Sequence, residues 1–402
     1  MNNNRHTFDI NSNIYNMQRI YNRSSIVHYK IPEDQENYEY IKITEHHLKS
    51  INSKLNYRLK INDSAIIESG LQYYYRHINS SENQSVIASF DYYDRRMAYY
   101  MLGNLTKNKL SFHLGIRAEF TTMQIDNISS KDLLYMLPSS FALYKYSNTT
   151  NIKFGITKKL SYPKYGSLIP YTYYSSDSLS AFEGNPDLKP EETYNFELKY
   201  TYKKKKNFIS LTTYYHNKRN LIGIQKEILN KGTLLSKPQN YAVCNKPGIN
   251  FYSQVAILKA IPFGTYLDLN YSFYENTSYN GLSYSFQLFT EIPLPFDMYM
   301  TLDVSKVGRE YNLTGYIDQS WLIDEIAFGK PVFKDHGELT LSVLYPFLKD
   351  KTRELSWNNE FREEVFNQYY SSTIMLSFYY YFASGKKLKK KKRELLMEHD
   401  EK

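Results

Sequence analysis

Histidine is the side chain that most often supplies a general base or a metal ligand near neutral pH, and this chain of 402 residues contains nine histidines. His46 and His47 are adjacent and lie in a stretch without a clear hydrophobic pattern. Neighbouring side chains on a strand point to opposite faces, so this pair is poorly placed to hold one ion. No third ligand follows at the spacing of a metal site.

Sequence motifs for other kinds of catalysis are missing. No Gly-x-Ser-x-Gly elbow, His-Glu-x-x-His pair or phosphate-binding loop occurs, and the single cysteine, Cys244, excludes internal disulfides and multi-cysteine metal sites. The sequence therefore predicts no catalytic, cofactor-binding or metal-binding residue and no enzyme. A serine–histidine hydrolase is kept as an alternative, because geometry rather than sequence order defines such sites. It would require a serine within hydrogen-bond reach of His113 or His216.

Charge and hydropathy restrict the class of protein. The mean hydropathy is −0.57, and the longest apolar runs have six residues, whereas a membrane-spanning helix needs about 20. The net charge is +9, but seven cations lie in residues 386–393, which we expect to form a solvated tail. A nucleic-acid-binding protein would carry its charge across a folded face, so no nucleic-acid partner is expected.

Apolar and polar residues alternate through most of the chain. Between Leu110 and Phe120 the even positions are apolar, and the odd positions from Ser111 to Glu119 are mainly polar. Segments 151–160 and 193–202 repeat the pattern. Because side chains alternate across a strand, each segment predicts a strand with one apolar and one polar face.

This periodicity predicts an all-β protein with about 15 strands, and one more could fit before residue 50. The strands are roughly 10–14 residues long, which suits the 9–11 residues that a tilted strand needs to cross a bilayer. They are predicted at 50–61, 65–77, 95–105, 109–122, 138–147, 151–161, 191–202, 207–219, 248–260, 265–275, 282–291, 297–307, 320–332, 338–348 and 370–382.

Long and short connections alternate between these strands, except that the link Asn276–Gly281 is brief where a long one is expected. An antiparallel up-and-down sheet then has its long loops at one rim and its short turns at the other, as in outer-membrane barrels. The pattern therefore favours an antiparallel transmembrane β-barrel of about 15–16 strands over a soluble β-sandwich. The long links are predicted at 78–94, 123–137, 162–190, 220–247, 308–319 and 349–369.

Tyrosine dominates the aromatic residues, with 42 tyrosines and only 2 tryptophans. Many tyrosines cluster at the ends of predicted strands, as at Tyr73–Tyr75 and Tyr99–Tyr100. A ring with a hydrated hydroxyl suits the interface between lipid and water. This distribution indicates the aromatic girdles of an outer-membrane barrel.

One segment carries a family resemblance. Ser180–Glu191 reads SAFEGNPDLKPE and resembles the Gly-Asn-Pro-x-Leu-Lys-Pro-Glu stretch of TonB-dependent outer-membrane receptors, which leads from a long external loop into a barrel strand. Looser similarities occur at Leu114–Phe120, Phe333–Val343 and Leu376–Phe382. Two prolines stiffen the Ser180–Glu191 segment, so we expect it to have a structural role rather than to contact a ligand.

The resemblance implies a location in the cell outer membrane of a Gram-negative bacterium, in contact with outer-membrane lipid. It implies three partners of a complete receptor: a plug domain, the TonB energy-coupling protein and a surface-exposed substrate-binding lipoprotein. We expect three regions: residues 1–49, a poorly patterned segment with a loop or one strand; residues 50–385, the barrel; and residues 386–402, a charged tail.

Because residues 1–49 leave no room for a plug, we expect the C-terminal barrel portion of such a receptor, and its closure is left open. Its function would be uptake of a nutrient, either a metal chelate or a glycan. The alternative is a self-contained porin-like or structural barrel without energy coupling.

Overall fold

The computed structural model describes residues 5–27, 38–83, 87–175, 179–229, 232–257, 261–275, 279–319, 322–333, 336–346, 349–357, 362–370 and 372–382. The predicted charged tail, 386–402, lies outside the described residues. None of the helical structure in the described ranges is long and apolar enough to cross a membrane.

The described chain is built almost entirely from β-strands, which are numbered here in chain order. They are β1 (His6–Val27), β2 (Tyr38–Lys60), β3 (Ala65–Asn83), β4 (Ile87–Lys107), β5 (Leu110–Ile125), β6 (Ser129–Lys145), β7 (Thr150–Ser161), β8 (Thr172–Tyr174), β9 (Ser180–Glu183), β10 (Glu191–Lys204), β11 (Asn207–Ile228), β12 (Leu234–Ile257), β13 (Ile261–Tyr274), β14 (Gly281–Leu294), β15 (Met298–Val307), β16 (Glu310–Tyr311), β17 (Gly315–Gln319), β18 (Leu322–Val332), β19 (Gly337–Leu344), β20 (Lys349–Trp357), β21 (Arg362–Tyr370) and β22 (Thr373–Tyr380).

Sixteen of these strands form one antiparallel ladder, in which each member pairs with the next member of the ladder along the chain. Its members are β1–β7, β10–β15, β18, β19 and β22. In the part of the chain that the structure describes, β1 and β22 each pair on one edge only. The prediction of an antiparallel all-β fold with about 15–16 strands is confirmed.

Several predicted long links are strand instead. β3 and β4 stay paired as far as Asn83 and Ile87, within the predicted link 78–94. β5 and β6 stay paired as far as Ile125 and Ser129, and β11 and β12 pair through most of 220–247. The links at 78–94, 123–137 and 220–247 were therefore predicted too long. In the β3 and β4 extensions the outward positions, such as His77 and Asp91, are polar, so the sequence shows no apolar row there, whereas Leu134 and Met136 of β6 belong to the exposed apolar band.

The first 49 residues also differ from the prediction of a loop with at most one strand. β1 occupies His6–Val27, and β2 begins at Tyr38 rather than near residue 50. Asn, Ser and Arg interrupt the alternation in this region, which hid both strands from the sequence pattern. The structure shows them through their backbone pairing, because β1 and β2 form an uninterrupted antiparallel pair from His6–Leu59 to Val27–Tyr38.

The ladder exposes apolar side chains on its outer face and buries polar side chains on its inner face, which is the reverse of a water-soluble protein. The outer face carries exposed apolar side chains, such as Leu71 (54%), Met97 (60%) and Leu134 (68%). The inner face buries polar side chains, such as Asp94 (0%) and Glu119 (5%). A soluble sandwich would bury its apolar rows between two sheets, so that alternative is wrong. An exposed apolar band is what lipid contact requires.

Tight turns join the strands at one rim. β4 meets β5 at Asn108, where φ is 54°, and β10 meets β11 at Lys205, where φ is 55°. Asparagine tolerates this left-handed conformation better than most residues.

Two folded regions lie at the opposite rim, which we call the long-loop rim. The first is residues 162–190 (the inner loop), whose described part contains a 3-10 turn, Tyr165–Leu168, and strands β8 and β9. The second is a separate four-stranded sheet of β16, β17, β20 and β21, which fills much of the predicted links 308–319 and 349–369.

Candidate functional site

A buried carboxylate between two arginines lies on the inner face near the long-loop rim. Asp94 on β4 accepts a hydrogen bond from Arg76 Nη2 on β3 at 3.0 Å. Arg96, two residues along β4 and on the same face, donates to both carboxylate oxygens, at 2.9 and 2.6 Å. We call these three residues the arginine cluster. Two guanidinium groups share one carboxylate, so the cluster carries an excess positive charge.

Side-chain contacts attach the inner loop to strands β4 and β5, next to this cluster. The Tyr162 hydroxyl donates to Glu119 Oε1 at 2.5 Å and lies 2.7 Å from Thr121 Oγ1. The Tyr162 ring also lies under Arg96, with 3.4 Å between the guanidinium carbon and the ring centroid. Such a contact is a cation–π interaction. The start of the inner loop therefore points toward the inner face rather than away from the sheet.

An apolar cluster holds the inner loop in this position. Ile78, Phe90 and Met123 lie on the inner face of the strand extensions, and they pack against Leu168 and Leu188 of the loop. All five side chains are at most 4% exposed. Their burial supplies the hydrophobic free energy that orders the loop.

The Gly-Asn-Pro-Asp-Leu-Lys-Pro segment fixes the second half of the inner loop. Lys131 Nζ donates to the carbonyl oxygens of Pro186 and Leu188, at 2.8 and 3.4 Å. Asn185 Nδ2 donates to the carbonyl of Pro238 on β12 at 3.1 Å. These are contacts between parts of the wall and the loop, in agreement with the structural role expected for this segment.

Gly184 in the same segment lies against backbone. A Cβ at Gly184 would lie 2.4 Å from the carbonyl oxygen of Ile169 and 2.6 Å from its nitrogen, so only glycine fits.

Ionic contacts tie the inner loop to neighbouring strands above the lipid-facing band. Lys237 on β12 donates to Glu183, and this hydrogen bond holds the pKa of the Glu183 carboxyl below its usual value. Lys131 lies 3.3 Å from Asp187, but burial lowers the pKa of the Lys131 ammonium. β9 also runs parallel to the beginning of β12, from Ser180 to Phe182.

A cavity of about 620 Å³ lies on the inner face beside Tyr162, the first residue of the inner loop. Carboxylates pair with two of its cations besides Arg96: Arg117 with Glu119, and Lys158 with Glu192 at 2.6 Å. Such a lining suits a polar solute that forms several hydrogen bonds. Its lining residues are Asn52, Gln72, Tyr74, Arg96, Arg117, Glu119, Leu137, Ser139, Thr157, Lys158, Lys159, Leu160 and Tyr162.

The histidines singled out from the sequence are not gathered into one site. His46 Nδ1 lies 2.9 Å from Ser80 Oγ, whereas His47 Nε2 lies 3.0 Å from Glu45 Oε1, so the adjacent pair has different partners. Ser80 is 2% exposed, which leaves no access for a substrate carbonyl. His113 lies on β5, and His216 stacks on Tyr214 on β11.

Metal-binding side chains are likewise dispersed. Across the described ranges, no three His, Cys, Asp or Glu residues are grouped closely enough to hold an ion. Cys244 is buried as a free thiol on β12.

Sequence reasoning missed the arginine cluster and Tyr162. One signal was present, because Asp94 and Arg96 are charged and stand at alternate positions facing the interior. Their contact with Arg76 depends on strand register, and the position of Tyr162 depends on how the loop folds back.

Comparison with protein families identifies the family to which this chain belongs. The family described as "Outer membrane protein beta-barrel family" matches residues 1–380. The chain belongs to this family. This outer-membrane barrel protein is therefore located in the cell outer membrane of a Gram-negative bacterium, and its exposed apolar band faces lipid. In the comparison with curated proteins, nothing matches the sequence.

Solved structures show the same barrel fold. FpvA of Pseudomonas aeruginosa, bound to a heterologous pyoverdine, matches with a TM-score of 0.65 and 11% identity over 87% of this chain and 51% of that chain. FyuA, the ferric yersiniabactin uptake receptor of Yersinia pestis, gives 0.60 and 14% over 90% and 57%. Fiu, the ferric-catecholate import receptor of Escherichia coli K12, gives 0.60 and 12% over 86% and 58%.

The barrel protein therefore spans between half and three fifths of the length of these receptors. The resemblance to TonB-dependent receptors, drawn from residues 180–191, is confirmed at the level of the barrel.

Proposed function

We propose that this outer-membrane barrel protein is the C-terminal barrel portion of a TonB-dependent receptor-like protein, and that it takes up a nutrient, either a metal chelate or a glycan, through its polar interior. The observation that carries this proposal is the inner face. Buried charged side chains line it, and the inner loop is fastened to it through Tyr162 and Glu119. A barrel that served only as a scaffold would not need a loop folded over a polar cavity.

Two of the structural neighbours, an uptake receptor and an import receptor, support the same function. A plug domain, the TonB energy-coupling protein and a surface-exposed lipoprotein are the partners expected of the complete receptor. The long-loop rim would then face the outside, because barrels of this kind have their longer loops on that side.

Gene deletion and complementation test the proposal in the source bacterium. Growth is measured with a chelated metal or an oligosaccharide as the limiting nutrient. A receptor loses growth on its nutrient when the gene is deleted, regains it on complementation and loses it again when the energy-coupling protein is deleted. Uptake that persists without the coupling protein would overturn the receptor assignment and indicate the porin-like alternative.

A further inference from the structure

The cavity beside Tyr162 is surrounded by more cations than carboxylates. Four of its lining side chains are cationic, whereas Glu119 is the one carboxylate among them. Two carboxylates outside the lining, Asp94 and Glu192, pair with cations of the lining. When Arg76 is counted as the second partner of Asp94, five cations face three carboxylates, which leaves two excess positive charges. The five cations are Arg76, Arg96, Arg117, Lys158 and Lys159.

Each of the two lining arginines keeps one terminal nitrogen for a ligand. Arg96 donates to Asp94 through Nε and Nη2, and Arg117 donates to Glu119 through the same two nitrogens. Within the described ranges neither Nη1 atom makes a hydrogen bond, and neither is enclosed by protein. A molecule in the cavity can therefore accept hydrogen bonds from both Nη1 atoms.

Lys159 adds a cation that has no carboxylate partner. It lies on the same face of β7 as Thr157, lines the cavity and is exposed. No carboxylate of the described residues lies within ion-pair distance of its ammonium group. An unpaired cation attracts an anion more strongly than a paired one, so Lys159 should contribute most of the attraction.

These three donors favour carboxylate groups in the ligand. Hydrogen bonds from a guanidinium or ammonium group to a carboxylate are about twice as strong as those between neutral groups. A neutral ligand would make no use of the excess charge, and a cation would be repelled by it. Glu119 opposes an anion only weakly, because Arg117 and the Tyr162 hydroxyl already donate to its carboxylate.

We propose that this cavity binds a solute with two or more carboxylate groups, held by the Nη1 atoms of Arg96 and Arg117 and by the Lys159 ammonium group. The inference rests on the proposed function and narrows the nutrient to an anion. A metal chelate built on carboxylates and an acidic oligosaccharide share this chemistry, whereas a neutral glycan lacks it. The volume of about 620 Å³ lies within the roughly 300–1,000 Å³ of small-molecule sites.

Calorimetric titration of the full chain in micelles of a neutral detergent tests this site. The probes are ferric citrate as the chelate, trigalacturonate as the acidic oligosaccharide and maltotriose as the neutral one. We expect at least one of the two carboxylate probes to bind, which identifies the source of the carboxylates, and maltotriose not to bind. Lys159→Gln should weaken binding of that probe about tenfold, equivalent to about 1.4 kcal/mol. Arg117→Lys keeps the charge beside Glu119 but removes Nη1, so it should weaken binding too.

Lys153→Gln is the matched control. Lys153 lies on the same face of β7 and is also exposed, but it is outside the cavity, with its ammonium nitrogen 4.1 Å from the centroid of the Phe141 ring. Its replacement removes the same charge and should leave the affinity unchanged, and circular dichroism checks that each variant is folded. Failure of both carboxylate probes to bind, equal or tighter binding of maltotriose, or equal losses from the two glutamine variants would each overturn the inference.

The two proposals can fail separately. Growth that depends on the coupling protein, together with carboxylate binding that ignores Lys159, would leave the receptor function standing and remove only the site. Carboxylate binding that requires Lys159, with growth independent of the coupling protein, would keep the site and remove the receptor assignment.

Discussion

Replacing Asp94 by asparagine removes the carboxylate that compensates Arg76 and Arg96. Asp94 is 0% exposed, and the side chains of the two arginines are 22% and 14% exposed, so water can screen little of the lost charge. Breaking a buried ion pair by removing one partner costs about 3–5 kcal/mol. Arg76 Nε is already without a hydrogen bond among the described residues, so Arg76 should contribute much of this cost.

The assay is urea unfolding in lipid vesicles, followed by the circular dichroism of the β-sheet. We expect Asp94→Asn to lower the free energy of unfolding by about 3–5 kcal/mol. Adding Arg76→Leu should return about 0.5–3 kcal/mol, because it removes one uncompensated cation.

Asp63→Asn is the control for this prediction. Asp63 lies in a turn with its side chain 94% exposed beside Lys60, and water screens such a pair, so its loss should change stability little. Equal effects of the Asp63 and Asp94 substitutions would refute the reasoning. A double variant less stable than Asp94→Asn alone would refute it too.

Three further predictions concern the inner loop. Leu188→Ala should cost about 2–5 kcal/mol of local packing, and limited proteolysis within residues 162–190 should accelerate. Gly184→Ala should do the same because its Cβ would meet Ile169, whereas Gly166→Ala, which has open space around it, should not. The folded-state pKa of Glu183 is lowered, so its contribution to stability is present above the ordinary carboxyl pKa and is lost as the pH falls through the lowered value. Hydrogen exchange in residues 180–183 should therefore rise at acid pH, and Glu183→Gln should remove that pH dependence.

The sequence predicted the fold where lipid restricts it. At 110–120 every outward position is apolar because it meets hydrocarbon, so the strand was visible without any knowledge of its neighbours. At Ile78 and Phe90 the apolar residues lie on the inner face instead, because they pack against the inner loop. A rule based on an apolar outer row could not find those extensions, and it placed links there instead.

The candidate sites were beyond the reach of the sequence for a different reason. Arg117 and Glu119 stand two apart on one strand, which places them on one face. Their neighbours in the cavity, Arg96 and Lys159, come from β4 and β7 through a register that no local pattern specifies. The same holds for Tyr162, whose partner Glu119 is 43 residues away in the chain.

The inner loop joins strands that the ladder itself holds apart. It is attached to β5 through Tyr162, to β6 through Lys131 and to β12 through Asn185, while β7, β10 and β11 lie between β6 and β12. The inner loop thus cross-links β5, β6 and β12 at this part of the rim. Bulky cargo entering on this side would have to break some of these attachments before the opening could widen.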